Sequence, residues 1–412
     1  MNVRMDKTKL NLGAYYLEEY ARSEEHVRDL KESGLDFITG MDYDRAALDL
    51  FAKYGIGAVI RRALPLWWGG DGSRAGKMAE INPLEAYVAD AEKFRDHPAV
   101  WAIDTGDEPS ALDFDHYRDV LNTLSGIFAK QFLYLNLYPN YAAAAENDEG
   151  ECLSQLGTKN YAEYVEEYCK KIPLDYICYD HYVYATKNIS GCMENFRVVA
   201  DAARRSGRSF RFIPQLNSNV PEEWQSENRM RFQAFSALAF GAEVIIWACY
   251  TKGWWHNQVL DGEGNKTAQY EKMKTVNREL KTLGEQYMKY KSTSTHFIGA
   301  DEDGEFTCEL NQDFEECFNN GYFRNLCATD GKTLLVGEMT SRTESDKKAV
   351  FVVAADDWKD ENNVERSITF ECDTRCVIAT GKDGKIPVEY NADTKEYSVK
   401  IKSCEAVLIE AM

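Results

Sequence analysis

Two adjacent carboxylates, Asp107 and Glu108, close the segment His97-Pro-Ala-Val-Trp-Ala-Ile-Asp-Thr-Gly-Asp-Glu-Pro109. The apolar run 99–103 is short enough to be one buried strand. Gly106 and Pro109 should end it, because proline cannot donate to a ladder and biases the residue before it to an extended shape. Successive side chains on a strand alternate, so Asp107 and Glu108 are expected to point to opposite sides. A carboxyl at such a tip can give or take a proton, although a plain solvated turn would have the same composition. Choosing between these depends on what the rest of the chain places beside the tip.

Eight short apolar runs alternate with helical stretches, at 10–17, 36–41, 57–64, 99–103, 132–137, 175–179, 210–213 and 244–248. Eight strand–helix units in about 280 residues predict an α/β fold, a parallel (β/α)8 TIM barrel over 1–290. A doubly wound sheet would normally carry a glycine-rich phosphate loop after its first strand, and Leu12-Gly13-Ala14-Tyr15 is not one. After 290 the helical periodicity stops. Short alternating runs at 333–338, 348–354, 367–372, 376–380, 397–401 and 406–409 predict a small antiparallel β-sandwich domain over 291–412.

In such a barrel the chemistry gathers at the C-terminal strand ends. The candidates there are Asp42 on strand two, Trp67 and Trp68 on three, Asp107 and Glu108 on four, and Asn136 and Tyr138 on five. Strand six adds Asp180, His181 and Tyr182, strand seven Gln215 and Asn217, and strand eight Trp247, Tyr250, Trp254 and Trp255. Tyr15, Tyr16 and His256 sit at neighbouring tips. Carboxylates, amides and indoles dominate, with no Cys–His metal spacing and no nucleophile elbow. That set suits glycoside chemistry: an acid for the leaving oxygen, a second carboxylate for the developing positive charge, amides for hydroxyls and indoles for the apolar side of a sugar ring. No cofactor or metal is implied.

Composition narrows the partners. The 412-residue chain carries 48 Lys and Arg against 68 Asp and Glu, a net charge of −20, which repels nucleic acid and anionic membranes. The 24 Tyr and 8 Trp offer many faces for stacking on sugars. Eleven scattered cysteines without a C-x-x-C suit a reducing compartment better than a disulfide scaffold. No apolar run approaches the roughly 18 residues of a membrane span, and residues 1–9 lack an apolar leader core. The expectation is a cytoplasmic protein with a carbohydrate substrate, no nucleic-acid or membrane partner, and homo-oligomerisation left open.

The segment Ala99-Val-Trp-Ala-Ile-Asp-Thr-Gly-Asp-Glu-Pro109 resembles the strand-four motif of the clan A glycoside hydrolases, (β/α)8 retaining enzymes that include β-galactosidases and β-glucanases. Tyr179-Asp180-His181-Tyr182, Phe212-Ile213-Pro214-Gln215, and Arg231-x-Gln233-x-Phe-Ser-Ala-Leu-Ala-Phe-Gly241 followed by Ile245-Ile-Trp247 extend the likeness in order. It covers the barrel and the β-rich remainder. The resemblance implies Glu108 as acid/base. It also implies a nucleophilic glutamate at the tip of strand seven, where this sequence has Gln215. Three readings stay open: Asp180 as second carboxylate, expected at the longer separation of about 6.5–9.5 Å; a nucleophile supplied by the substrate; or a binding-only or trapped relative.

Overall fold

The structure, a computed structural model, describes residues 5–61, 72–91, 95–143, 155–251, 253–301, 304–306, 314–355, 363–374 and 376–411. Eight parallel strands make the first sheet: β1 (Asn11–Tyr15), β2 (Phe37–Asp42), β3 (Gly57–Arg61), β4 (Val100–Asp107), β5 (Phe132–Asn136), β6 (Tyr176–His181), β7 (Ser209–Pro214) and β8 (Ala242–Trp247). Around them run α1 (Glu24–Glu32), α2 (Arg45–Tyr54), α3 (Met78–Ile81), α4 (Leu84–Ala91), α5 (Phe114–Ile127), α6 (Tyr161–Lys171), α7 (Val183–Thr186), α8 (Ile189–Ser206), α9 (Glu227–Phe240) and α10 (Ala268–Tyr287). Side-chain caps start several of them where the sequence offers the right residue. Ser23, Asp44, Asn160, Asn188, Ser226 and Thr267 each accept a backbone N–H of the first turn.

The spatial order β5-β4-β3-β2-β1-β8-β7-β6 is that of a barrel, and β5 and β6 are the strands left to meet. Their seam carries one bridge, Leu137 with Tyr179. Beside it a side chain stands in for the ladder: the Tyr176 hydroxyl accepts from Leu135 N at 3.2 Å and donates to Leu133 O at 2.7 Å. The interior is filled by Tyr15, Phe37, Val59, Ala102, Tyr134, Tyr176, Cys178, Ile213, Val244 and Ile246. It is a packed core rather than a pore.

Beyond α10, eleven strands run from β9 (Tyr290–Ile298) through β10 (Phe314–Glu315), β11 (Phe323–Ala328), β12 (Leu334–Ser341), β13 (Lys348–Ala354), β14 (Glu365–Cys372), β15 (Val377–Gly381), β16 (Gly384–Ile386), β17 (Glu389–Asn391) and β18 (Glu396–Lys402) to β19 (Ala406–Ala411). They form a seven-stranded sheet, β10-β9-β12-β13-β19-β15-β16, and a four-stranded sheet, β11-β14-β18-β17. All pairings are antiparallel except β9 with β10. The central strands β12, β13 and β19 are buried almost throughout, because their sheet is covered on both faces. One face packs on the smaller sheet; the other carries Leu335, Met339, Phe351, Val353 and Leu408 into the cluster shared with the barrel helices.

Helix α9 is the joint. From Met230 to Phe240 every residue is buried, since β7 and β8 lie on one side and β12 and β13 on the other. It has no polar face to alternate with. Gly337 of β12 sits so close that an added Cβ would fall 2.3 Å from Ala239 O. The one full charge deep in α9, Arg231, forms a two-pronged pair with Glu279 of α10 at 2.8 Å for each bond.

Candidate active site

Strand β4 runs further than the apolar run 99–103 suggests, through Gly106 to Asp107. Gly106 therefore does not end it. A register shift between Asp104 and Gly106 marks a bulge against β5. The bulge adds one residue, so Asp104, beside Tyr15 and Tyr134, and Asp107 share the inner side although three positions apart. Gly106 is required here, because a Cβ would lie 2.7 Å from the Tyr117 ring of α5. Glu108 then takes φ 48°, the left-handed region. This turn overrides the expected divergence, and Asp107 and Glu108 both line one cleft of about 550 Å3 at the C-terminal rim.

Three carboxyls converge in that cleft. Asn136, at the end of β5, spends the two hydrogens of its amide nitrogen on carboxylates from two strands. Nδ2 donates to Asp180 Oδ1 at 2.7 Å and to Asp107 Oδ1 at 3.1 Å. Asp180 and Glu108 are hydrogen-bonded to each other. Burial raises Asp107 to about 6, against the pull of the Asn136 bond. Burial and then the charge of Asp107 raise Asp180 to about 7, while the bonds from Asn136 and Glu108 oppose the rise. Near neutral pH the cluster holds a proton in a buried place, which is what a general acid needs.

The walls are aromatic: Tyr15, Tyr16, Tyr138, Tyr141, Tyr182, Trp254 and Trp255. Trp254 meets Tyr16 edge-on at 5.9 Å and Tyr182 at 5.8 Å, and Tyr182 meets Trp255 at 5.3 Å. Among the described residues eight non-glycine residues have positive φ, and three of them, Tyr16, Glu108 and Trp255, line this one cleft. Such strain persists only where the surroundings impose it, and it concentrates at working sites.

Of the residues singled out in the sequence, Tyr15, Tyr16, Asp107, Glu108, Asn136, Tyr138, Asp180, Tyr182, Trp254 and Trp255 meet here. Trp67 and Trp68 lie outside the described residues. Trp247, Tyr250, Asp42, His181, Gln215 and Asn217 are held away from the cleft. Trp247 points outward and donates its indole N–H to Asn277 of α10 at 2.8 Å. Tyr250 is fully buried in the outer cluster. Asp42 forms a bidentate pair with Arg61, at 3.0 and 3.2 Å. His181 is buried against α8, its Nδ1 3.1 Å from Asn195 Oδ1. That oxygen also accepts from Asn140 N, so His181 Nδ1 carries the proton, and burial lowers the imidazole to about 4.

Gln215 is turned away as well. Its Oε1 accepts from Tyr184 N and Ala185 N, its Nε2 donates to Asn217 O, and its backbone exchanges two hydrogen bonds with Gln233. The inner position of β7 that reaches the cleft is Ile213. Asn217 donates to Trp254 O at 2.6 Å, so it holds the tryptophan loop and does not face the cleft. Tyr141 and Gln155, from the segment after β5, also line the cleft. That segment reads in sequence as a small polar loop, and no period or breaker marks either residue. Among the described residues, no group of His, Cys, Asp and Glu is arranged to hold a metal ion.

No family model matches the chain, and no curated protein is similar to it in sequence. Similar solved structures include a glucosidase from Croceicoccus marinus, at 8% identity over 98% of this chain and 96% of that one, with a TM-score of 0.45. A β-glucuronidase from Ruminococcus gnavus shares 14% identity over 65% of this chain and 51% of its own, TM-score 0.46. Saccharomyces cerevisiae Gas2p, in complex with laminaritetraose and laminaripentaose, shares 11% over 64% and 62%, TM-score 0.44.

Proposed function

We propose that the protein is a glycoside hydrolase acting on an O-glycoside or oligosaccharide, with Glu108 as general acid/base and Asp180 as the second carboxylate. The observation that carries this is the hydrogen-bonded pair Glu108–Asp180, tied through Asn136 to Asp107, in a cleft walled by tyrosine and tryptophan. A proton shared by buried carboxyls can pass to the glycosidic oxygen as its bond to carbon breaks. The carboxylates left behind face the positive charge that grows on the sugar ring. Asn136 keeps two of the three acids in register. Asp107, Tyr138, Tyr182, Trp254 and Trp255 contact the substrate, with the indoles against the C–H side of the ring.

Hydrolysis of a panel of nitrophenyl glycosides and oligosaccharides tests the proposal. Glu108→Gln should lower turnover by about 10²–10⁴-fold, the usual worth of a general acid, while sugar binding persists. Undiminished activity in that variant removes Glu108 from the reaction.

A binding-only barrel is the second reading, and one observation favours it: β7 offers the cleft Ile213 rather than a carboxylate. Sugar binding without turnover anywhere on the panel would select it. The barrel at 1–290 and the β-sandwich at 291–412 are proposed as two domains of one protein. Among the described residues, no helix is long and apolar enough to cross a membrane; placement in the cytoplasm, and assembly into homo-oligomers, are further parts of the proposal.

A further inference from the structure

The opposite end of the barrel holds a second cavity, of about 590 Å3, between the strand starts and the first residues of β9. In a chain of net charge −20, its lining has seven cationic side chains against two carboxylates. Both carboxylates are already engaged: Asp175 by Lys7 and Glu243 by Arg342.

Arg211 of β7 stands out. It is 2% exposed, inside the barrel. Its guanidinium carbon lies 3.5 Å from the centre of the Tyr176 ring and 4.6 Å from that of Phe132. Among the described residues no carboxylate or carbonyl receives a hydrogen bond from it, and its Nε is buried without a partner; Asp175, near enough to feel its charge, is itself bonded to Lys7. Nearby, Arg208 spends Nη2 on the carbonyls of Cys169 and Ile172, while its buried Nη1 has no partner. Ring stacking is worth about 2 kcal/mol for a desolvated cation. The effective penalty for burying an unpaired ion is several kcal/mol.

A simpler account is that the arginines complement the negative C-terminal ends of the surrounding helices. It fits Arg204, which donates to Phe240 O at the end of α9, and Arg208 at the end of α6. It does not fit Arg211, which caps no helix. The guanidinium fork matches the geometry of a phosphate group, and Lys291 stands at the same cavity without an ion-pair partner among the described residues. The volume exceeds what one phosphate needs and leaves space for the group that carries it.

We infer that this cavity binds a phosphate group, either inorganic phosphate or a small phosphate monoester, with Arg211 as its central contact. The site is remote from the carboxylate cleft, and the inference does not depend on the glycosidase reading.

The test is calorimetric titration of the full chain with inorganic phosphate and, separately, with a hexose monophosphate, at matched ionic strength in chloride. Saturable binding of either supports the proposal, and the tighter ligand identifies the source. Arg211→Met, which keeps the alkyl packing and removes the charge, should weaken binding at least tenfold, and Lys291→Ala severalfold. Glu108→Gln should bind phosphate like the parent. Heat no different from that of chloride overturns the proposal, as does unchanged affinity in Arg211→Met. Should Arg211→Met not fold, the exposed Lys291→Ala decides alone: unchanged affinity there overturns it.

Discussion

Replacing Asp180 by Asn should abolish activity and at the same time make the protein more stable at alkaline pH. The ordinary aspartate value is 3.8, and burial with the neighbouring Asp107 charge moves Asp180 to about 7. Below 3.8 the group is protonated in both folded and unfolded chains. Between 3.8 and about 7 the unfolded chain ionises while the folded one keeps its proton. Stability therefore falls as pH rises through this window, and the loss is complete above about 7. At about 1.4 kcal/mol per pH unit, the part lying between pH 5 and 8 is on the order of 2–3 kcal/mol. Asparagine keeps an oxygen to accept from Asn136 and gains an N–H for Glu108, so the local network survives without the buried charge. Urea unfolding followed by tryptophan fluorescence at pH 5, 6, 7 and 8 reads the difference. The parent should lose about 2–3 kcal/mol over this range relative to Asp180→Asn. Parallel curves for the two proteins would refute the account of a buried, proton-holding Asp180, and retained turnover would remove it as the second carboxylate.

Two further outcomes are expected. Trp254→Ala should raise KM about two- to tenfold, the worth of one aromatic contact at roughly 0.5–1.5 kcal/mol, with kcat falling less; steady-state kinetics on the best glycoside of the panel checks it. Glu279→Gln removes the buried carboxylate that holds Arg231 with two bonds and leaves it Glu227 at 2.7 Å as its remaining countercharge; it should cost about 1.5–3 kcal/mol, the worth of a hydrogen bond to a charged group, seen as a lower urea midpoint with the cleft intact.

The barrel was legible because its signals are local. Each buried strand is a short apolar run, each turn carries glycine, proline or a capping residue, and eight repetitions leave few folds to choose from. The acids were legible for the same reason, since they lie at the C-terminal ends of strands β4 and β6. The facing of individual tips was not. Trp247 and Tyr250 look like equal candidates with Trp254 in sequence, yet the first two face the helices. Parity decides this, and parity depends on registers and bulges that no local pattern reveals. The bulge before Gly106 and the left-handed turn at Glu108 together bring Asp107 and Glu108 to one side, where alternation separates them. Gln215 illustrates a further limit: an amide at a strand tip reads as a ligand for sugar, while here it ties β7 to the short helix α7. Tyr141 and Gln155 reach the cleft from a stretch whose path only the folded chain defines.

The thinly paired seam between β5 and β6 gives the carboxylate network a second consequence. Asn136 belongs to β5 and Asp180 to β6, so their hydrogen bond crosses the same gap that the Tyr176 hydroxyl spans lower down. The barrel is thus laced shut at its weakest joint by two side chains, one of which belongs to the carboxylate network. Ionising Asp180, or drawing Asn136 toward a bound sugar, changes the tension on that lacing. Amide protons of Leu133, Leu135 and Leu137 sit along it, and their exchange with solvent would report the state of the acid from inside the wall. In this fold the charge on the carboxylate rim and the breathing of the strands beneath it are one equilibrium seen from two sides.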